Sequence, residues 1–319
     1  SKVQGMKIYH GLHDFVRLNF AVVTSGTFDG VHLGHQKILA RLIEIAKRHQ
    51  GESVVLTFWP HPRLVLHPEE DTLKLLNTFE EKAELMKEAG ISHLVRIPFT
   101  KEFSNYSSEE FIRKVLVETL GTRKLVIGYD HRFGRNREGS FEQLIANAPK
   151  YGFEVEEIPR QDVDNVGVSS TRIRNALAAG DIQTANHFLG RPYSITGRVI
   201  HGDKLGRILG FPTANIEIDS RFKLIPADGI YAVTADHEHR RYKGMMYIGN
   251  RPAVAGTLHG LEVNLFDFNR DIYGDDITVH FHDRIREDSM FHDLEDLRRQ
   301  LEHDKTEVLK RLEHINPPK

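Results

Sequence analysis

His32 and His35 stand three residues apart in the string Gly26-Thr-Phe-Asp-Gly-Val-His-Leu-Gly-His35. Ahead of it, the β-branched run at residues 21–24 predicts a buried strand. Behind it, Ile38, Leu39, Leu42, Ile43 and Ala46 recur at helical spacing over residues 36–49. A glycine-rich turn between a strand and a helix brings main-chain N–H groups and the positive end of a helix dipole to one point, which is an anion site. Both imidazoles, near one face at the helix start, can reach the same bound group. The chemistry this suits is stabilisation of charge on a phosphate under attack, by positioned hydrogen-bond donors and with no covalent intermediate.

Two further strings have the same character. In Val168-Ser-Ser-Thr-Arg-Ile-Arg174 the serines can cap a helix running to about residue 179, whose free N–H groups bind phosphate, and Ser170 and Arg174 share a face one turn apart. In Gly197-Arg-Val-Ile-His-Gly-Asp-Lys-Leu-Gly-Arg-Ile-Leu-Gly-Phe-Pro-Thr-Ala-Asn215 the first two glycines have Walker spacing. Asp203-Lys204 follow where Lys-Ser/Thr is required, so this is not a P-loop. Gly202, Gly206 and Gly210 let the backbone close over phosphates. Thr213 and Asn215, two apart on an extended segment, set oxygens on one side for Mg²⁺.

The elements that must position these groups fall into two patterns. Through the first half, strands at residues 53–58, 93–97, 124–128 and 153–158 alternate with helices at 80–90 and 107–120, which predicts a parallel sheet. The strand at 53–58 ends in Trp59-Pro-His-Pro62, where two prolines force the chain out of the sheet. Residues 180–192 connect onward. From Tyr193 the pattern changes to short strands with frequent glycine at residues 195–200, 229–234, 242–248, 261–266 and 277–282, which predicts an antiparallel barrel. Leu297, Leu301, Val308 and Leu312 among charges in residues 294–315 predict a helix packed on that barrel.

Composition narrows the partners. The 319 residues suggest two domains, and 43 basic against 45 acidic residues leave a net charge of −2, which gives no support for binding a long polyanion. No apolar run approaches the roughly 20 residues of a membrane span. The absence of cysteine excludes disulfides and thiolate metal sites and suits a reducing cytoplasm. No signal-peptide pattern is seen, and Met6 reads as a natural start preceded by five appended residues.

The first string resembles the H-x-G-H signature of the nucleotidyltransferase superfamily, and with Thr-Phe-Asp-Gly ahead of it the whole matches the prokaryotic FAD synthetases. That resemblance implies catalytic His32 and His35 and an ATP phosphate site drawn from Gly26, Phe28, Asp29, Gly30, Gly34, Ser169, Ser170, Thr171 and the phosphate-binding Arg174. The segment at 57–62 is similar to the T-F-x-P-H-P element by the flavin, implying Phe58 and His61, and residues 128–134 resemble the G-x-D-x-x-F-G loop, implying Asp130 and Arg132. The string ending Gly-Phe-Pro-Thr-Ala-Asn215 is similar to the riboflavin kinase signature, adding Gly202, Lys204, Gly206 and Gly210 for ATP and Thr213 and Asn215 for Mg²⁺. Glu262-Val-Asn-Leu-Phe-Asp-Phe268 resembles the E-x-H-[IL]-F-D-F strand, in which the glutamate takes the proton from the riboflavin hydroxyl. An ionised carboxylate facing a phosphate suits that role. Position 264 departs from the pattern, being Asn where His is expected.

The expectation is an α/β Rossmann-like nucleotidyltransferase domain over residues 1–188, followed by an antiparallel β-barrel riboflavin kinase domain with a C-terminal helix over residues 189–319. With ATP and Mg²⁺ the barrel makes FMN from riboflavin and the first domain makes FAD from FMN. The partners are small molecules, with neither nucleic acid nor membrane, and a cytoplasmic monomer is the default. A flavin-binding regulator with decayed catalysis is the alternative that Asn264 raises; intact His32, His35, Arg174, Thr213, Asn215 and Glu262 oppose it. An adenylyltransferase for a pantetheine or nicotinamide nucleotide is opposed by the Pro-Thr-Ala-Asn string and Glu262.

Overall fold

The computed structural model describes residues 5–69, 73–128, 141–159, 169–201, 209–253 and 256–315. The chain divides into two compact units, Ser1–Ser170 and Thr171–Lys319.

The first unit is a parallel six-stranded sheet in the order β1-β4-β3-β2-β5-β6, formed by β1 (Lys7–Tyr9), β2 (Ala21–Ser25), β3 (Glu52–Trp59), β4 (His93–Pro98), β5 (Thr122–Gly128) and β6 (Glu154–Ile158). The central strands β2 and β3 are buried along most of their length because helices cover both faces, whereas the edge strands β1 and β6 carry charged residues. Val23, Leu56, Val95 and Ile127 point to one side, and Val22, Val55, Leu94 and Val126 to the other. On this second side lie α1 (Leu33–Arg48) and α3 (Phe79–Ala89), whereas α2 (Pro62–Leu66) starts on the second of the two prolines that follow β3. Thr78 and Glu81 form a capping box that opens α3, and Gly90 closes it in left-handed backbone.

On the first side, α4 (Lys101–Ser104) and α5 (Ser108–Glu110) lead into a π-helical stretch, Phe111–Leu120, which packs with α6 (Phe141–Tyr151). The predicted helix at 107–120 thus forms, opened by a Ser107–Glu110 capping box, but most of it is wound as a π-helix. β2 lies between β3 and β5, where the direction of strand succession reverses. In parallel α/β sheets the crevice beyond the carboxyl ends of such a strand pair is where ligands bind.

The second unit opens with α7 (Ser170–Ala178), nearly all of which belongs to it, and α8 (Ile182–Leu189). A closed antiparallel barrel follows in the order β10-β11-β8-β7-β12-β9. Its strands are β7 (Tyr193–Ile200), β8 (Ala214–Glu217), β9 (Gly229–His237), β10 (Arg240–Ala253), β11 (Gly256–Leu265) and β12 (Asp276–Arg286). Asn186 of α8 spans two segments, donating to the Phe281 carbonyl at 2.8 Å and accepting the Tyr193 N–H at 2.8 Å. The last helix, α9 (Leu294–Arg311), sets Val308, with Leu312 just beyond it, against Ile230, Ala232, Met245 and Phe266. Its fully buried Asp304 receives Arg286 through Nε at 3.0 Å and Nη2 at 2.9 Å. No helix among the described residues is long and apolar enough to cross a membrane.

One barrel residue gives the unit a pH response. His282 on β12 hydrogen-bonds Thr234 Oγ1 at 2.9 Å, and burial, with His280, Arg241 and His314 nearby, pushes its pKa down to about 4. Because this lies below the ordinary 6.5, the unfolded chain binds a proton that the folded chain refuses as pH falls from about 6.5 to 4. Stability therefore declines across that window and is unaffected by this group above it. His282→Gln keeps a hydrogen-bonding group and cannot titrate. Its melting temperature should fall less than that of the wild type between those pH values, by on the order of 5 °C. Equal slopes by calorimetry would contradict the assignment.

Candidate functional site

The first site begins where β2 ends. The Gly26 N–H donates to the Leu56 carbonyl at 3.0 Å, after which Phe28 (φ 48°) and Val31 (φ 42°) both take left-handed backbone. Non-glycine residues hold that conformation only where their surroundings over-determine it, and such strain gathers at functional sites. Here both side chains are buried in the core under α1 and α3. Asp29, 4% exposed, accepts the Leu76 N–H at 3.0 Å and the Asn77 N–H at 3.2 Å. Asn77 Oδ1 returns the tie by accepting the Gly30 N–H at 2.8 Å.

His32 is the N-cap of α1. Its Nδ1 accepts the His35 N–H at 3.2 Å, and His35 Nδ1 accepts the His32 N–H at 3.3 Å, so the two rings stack with centroids 3.6 Å apart. A ring nitrogen that accepts a main-chain N–H carries no proton, which assigns the proton of each neutral imidazole to Nε2. The pair is thus a double donor whose tautomer the backbone sets. This is also why α1 starts at Leu33, three residues earlier than the helical spacing alone indicates.

The amides behave differently from the expectation. Those of Gly26, Gly30, Val31, His32 and His35 are all donated within the protein. Those of Leu33 and Gly34, the first two residues of α1, have no acceptor among the described residues. Asp29 and Gly30 therefore shape the turn, and the donors of the site are the two imidazoles and the helix N-terminus. Asn77 was not visible as a partner, because it acts on a residue 47 positions away.

Ser170 Oγ donates to the Asp29 carbonyl at 2.8 Å, which brings the first residue of α7 to the turn. Ser169 precedes it, and Thr171 and Arg174 follow along α7, Arg174 one turn beyond Ser170. Phe58 packs in the core against Phe99 and Phe103, each at 5.7 Å, and Trp59 sits by Phe79 at 6.0 Å. His61 caps α2 through Nδ1 at 3.2 Å from the Arg63 N–H. Asp130 and Arg132, and Gly202, Lys204 and Gly206 of the barrel string, lie outside the described residues.

The second site is built across barrel strands. Asn215 of β8 faces Ile200 of β7 on one side and Glu262 of β11 on the other, and Glu262 faces Tyr247 of β10. Opposed residues of antiparallel strands project to one side of the sheet, so Asn215 and Glu262 share a face with Asn264, two residues on. Asn264 Nδ2 donates to the Pro212 carbonyl at 2.7 Å and so holds the segment carrying Thr213. Asn215, 4% exposed, turns its amide nitrogen toward the His201 carbonyl at 3.5 Å. Gly210 takes φ 86°, where only glycine is unstrained, and at Gly197 a Cβ would come within 2.5 Å of the Glu217 carbonyl oxygen. Two cavities of about 360 and 450 Å³ flank the Pro212 segment. Thr213, Leu265 and Tyr273 line the first, and Gly210, Asp267 and Lys305 the second. These are volumes suited to small ligands.

Known proteins share both halves. The FAD synthetase family model matches residues 16–172, and the riboflavin kinase model matches residues 189–312. A bifunctional riboflavin kinase/FMN adenylyltransferase of Pseudomonas fluorescens is 40% identical over 92% of this chain and 94% of its own length. The proteins of that description from Haemophilus influenzae and Escherichia coli K12 are 38% and 36% identical, each over 94% of this chain and over 97% and 96% of their own lengths. A crystal structure of a macrolide-efflux protein from Streptococcus pneumoniae superposes with a TM-score of 0.85 at 30% identity, covering 95% of this chain and 98% of that one.

Proposed function

Because the chain belongs to the family of bifunctional riboflavin kinase/FMN adenylyltransferases, we propose that His32 and His35 in its first unit and Glu262 in its second are the groups on which its two reactions turn. The chain phosphorylates riboflavin to FMN and joins FMN to the adenylyl group of ATP, releasing pyrophosphate.

In the adenylyl transfer a phosphate oxygen of FMN attacks the α-phosphorus of ATP, and negative charge grows on the non-bridging oxygens. The Nε2–H groups of His32 and His35 donate to those oxygens, and the amides of Leu33 and Gly34 add the positive end of α1. We assign the phosphate chain to Arg174, which offers a planar fork of donors, and to the main-chain N–H of Ser170, because the Ser170 hydroxyl donates to the Asp29 carbonyl. Asp29, Gly30 and Asn77 fix the turn. His61, Asp130 and Arg132 are the polar groups assigned to the flavin nucleotide, and Phe58, packed against Phe99 and Phe103, is the aromatic one.

In the kinase step Glu262 accepts the proton of the riboflavin hydroxyl as that oxygen attacks the γ-phosphorus. Thr213 and Asn215 offer oxygen donors on one extended segment, and the amide nitrogen of Asn215 is directed to His201, so its oxygen is turned the other way. This donor set fits a hard cation, and Mg²⁺ held there would neutralise charge on the ATP phosphates. Gly202, Lys204, Gly206 and Gly210 are the residues assigned to those phosphates. We place the change of function near residue 189, where the riboflavin kinase match begins, and take the substrates to be small molecules in the cytoplasm, which suits the lack of cysteine and the small net charge.

The observation that carries this reading is the reciprocal capping of His32 and His35, which fixes two Nε2–H donors at one helix start. Nitrogen NMR of the histidine rings tests it. Both residues should show protonated Nε2 and bare Nδ1 at neutral pH, and a protonated Nδ1 on either would remove the basis for the donor pair.

A further inference from the structure

Lys82 lies on the apolar face of α3, with Phe79, Ala83 and Met86, and is only 3% exposed. Its ammonium donates to the Thr27 carbonyl at 2.6 Å and to Thr57 Oγ1 at 3.2 Å and lies 5.3 Å from the Trp59 ring centre. A buried cation without a directly bound carboxylate is costly, and a methionine would fill the same space without that cost. What Lys82 supplies instead is a tie from α3, through β3, to the residue immediately before left-handed Phe28.

With the Asp29 and Asn77 bonds it completes a clamp, because residues 76–82 grip the turn at Thr27, Asp29 and Gly30. We propose that Lys82 is a positioning residue of the adenylyl-transfer site, holding the strained turn so that His32 and His35 meet the α-phosphate. This rests on the assignment of that site to residues 26–35. Burial pushes the Lys82 pKa down to about 8, against the opposing field of Asp29. Asp29 on the turn is the charged group that acts on it; of the other ionisable groups nearby, Arg96 of β4 stands over the Trp59 and Phe79 rings, and the His10 ring is 5.9 Å from Phe79. Deprotonation above that pH replaces a charge-assisted bond to Thr27 by a weaker neutral one.

The test uses the full chain and follows FAD formation from supplied FMN across pH 6.5 to 9.5. Displacement of a catalytic group by about 1 Å can cost 10²-fold in rate, so Lys82→Met should lower kcat by about 10- to 100-fold, with KM for ATP and FMN changed less than about threefold. Riboflavin phosphorylation should be untouched. Lys82→Gln offers Thr27 an N–H that does not titrate; it should recover part of kcat and lose the inflection near pH 8 expected of the wild type. A Lys82→Met chain that melts lower yet keeps kcat within about twofold assigns a merely structural role and overturns the proposal. So does a Lys82→Gln chain that keeps both the wild-type kcat and the inflection. If Lys82→Met does not fold, Lys82→Gln alone decides by these criteria. His35→Ala is assayed alongside: if it is fully active, the site assignment itself fails, whereas an inactive His35→Ala beside a fully active Lys82→Met removes only the role of Lys82.

Discussion

His35→Ala should nearly abolish the conversion of FMN to FAD while riboflavin is still phosphorylated, so that FMN accumulates. Loss of one donor to charge that develops only in the transition state costs about 10²–10³ in rate, or about 2.7–4 kcal/mol. The substitution also removes half of the reciprocal cap on α1. A lost cap is worth about 1 kcal/mol, small against the 5–15 kcal/mol of a typical domain, so the loss of activity should exceed any loss of fold. His32→Ala should behave alike, since it removes the other Nε2–H donor, whereas the main-chain N–H of residue 32 that holds the His35 tautomer stays in place. FAD formation at the wild-type rate in either variant would show that the helix start has been assigned the wrong chemistry.

Glu262→Gln has the second large effect, on the other reaction. The amide keeps the size of the carboxylate but cannot take up the hydroxyl proton, so riboflavin phosphorylation should fall by roughly 10²–10⁴-fold. Supplied FMN should still become FAD at the wild-type rate. Asn264→His is the companion: it disturbs the bond that Asn264 makes to the Pro212 carbonyl and puts a titratable ring on the face of Glu262, so it should alter only the kinase step. Full kinase activity in Glu262→Gln would move the base elsewhere. The next candidate is Asp267, which stands in left-handed backbone (φ 56°) and lines the larger cavity.

Much of this architecture was legible because local pattern and global fold agree. The apolar runs of β2, β3 and β5 belong to strands covered on both faces, and Gly90 and Gly121 end helices where the sequence has them ending. Two strands were missed for the same reason. β1 has three residues and β8 four, too few to show a period, and β8 begins inside the string that reads as a phosphate and metal loop. The motifs located the candidate sites, but the partners of their atoms were not readable. Whether the amide of Gly30 faces a ligand or Asn77 depends on a contact between segments far apart in the chain. Lys82 left one trace, a charge at a position where helical spacing requires an apolar residue. His32 as an N-cap left none, since the residues that ordinarily cap helices are Ser, Thr, Asp and Asn.

The central claim is that two independent sites, one resting on His32 and His35 and the other on Glu262, act in sequence on one flavin. It is tested most directly by mixing His35→Ala and Glu262→Gln chains in equal amounts with riboflavin, ATP and Mg²⁺, and separating the flavins by chromatography. Alone, the first should yield FMN only and the second almost no product; together they should make FAD from riboflavin, because FMN released by one chain is adenylylated by the other. A mixture that makes FMN but no FAD, while Glu262→Gln alone also fails on supplied FMN, would contradict the account.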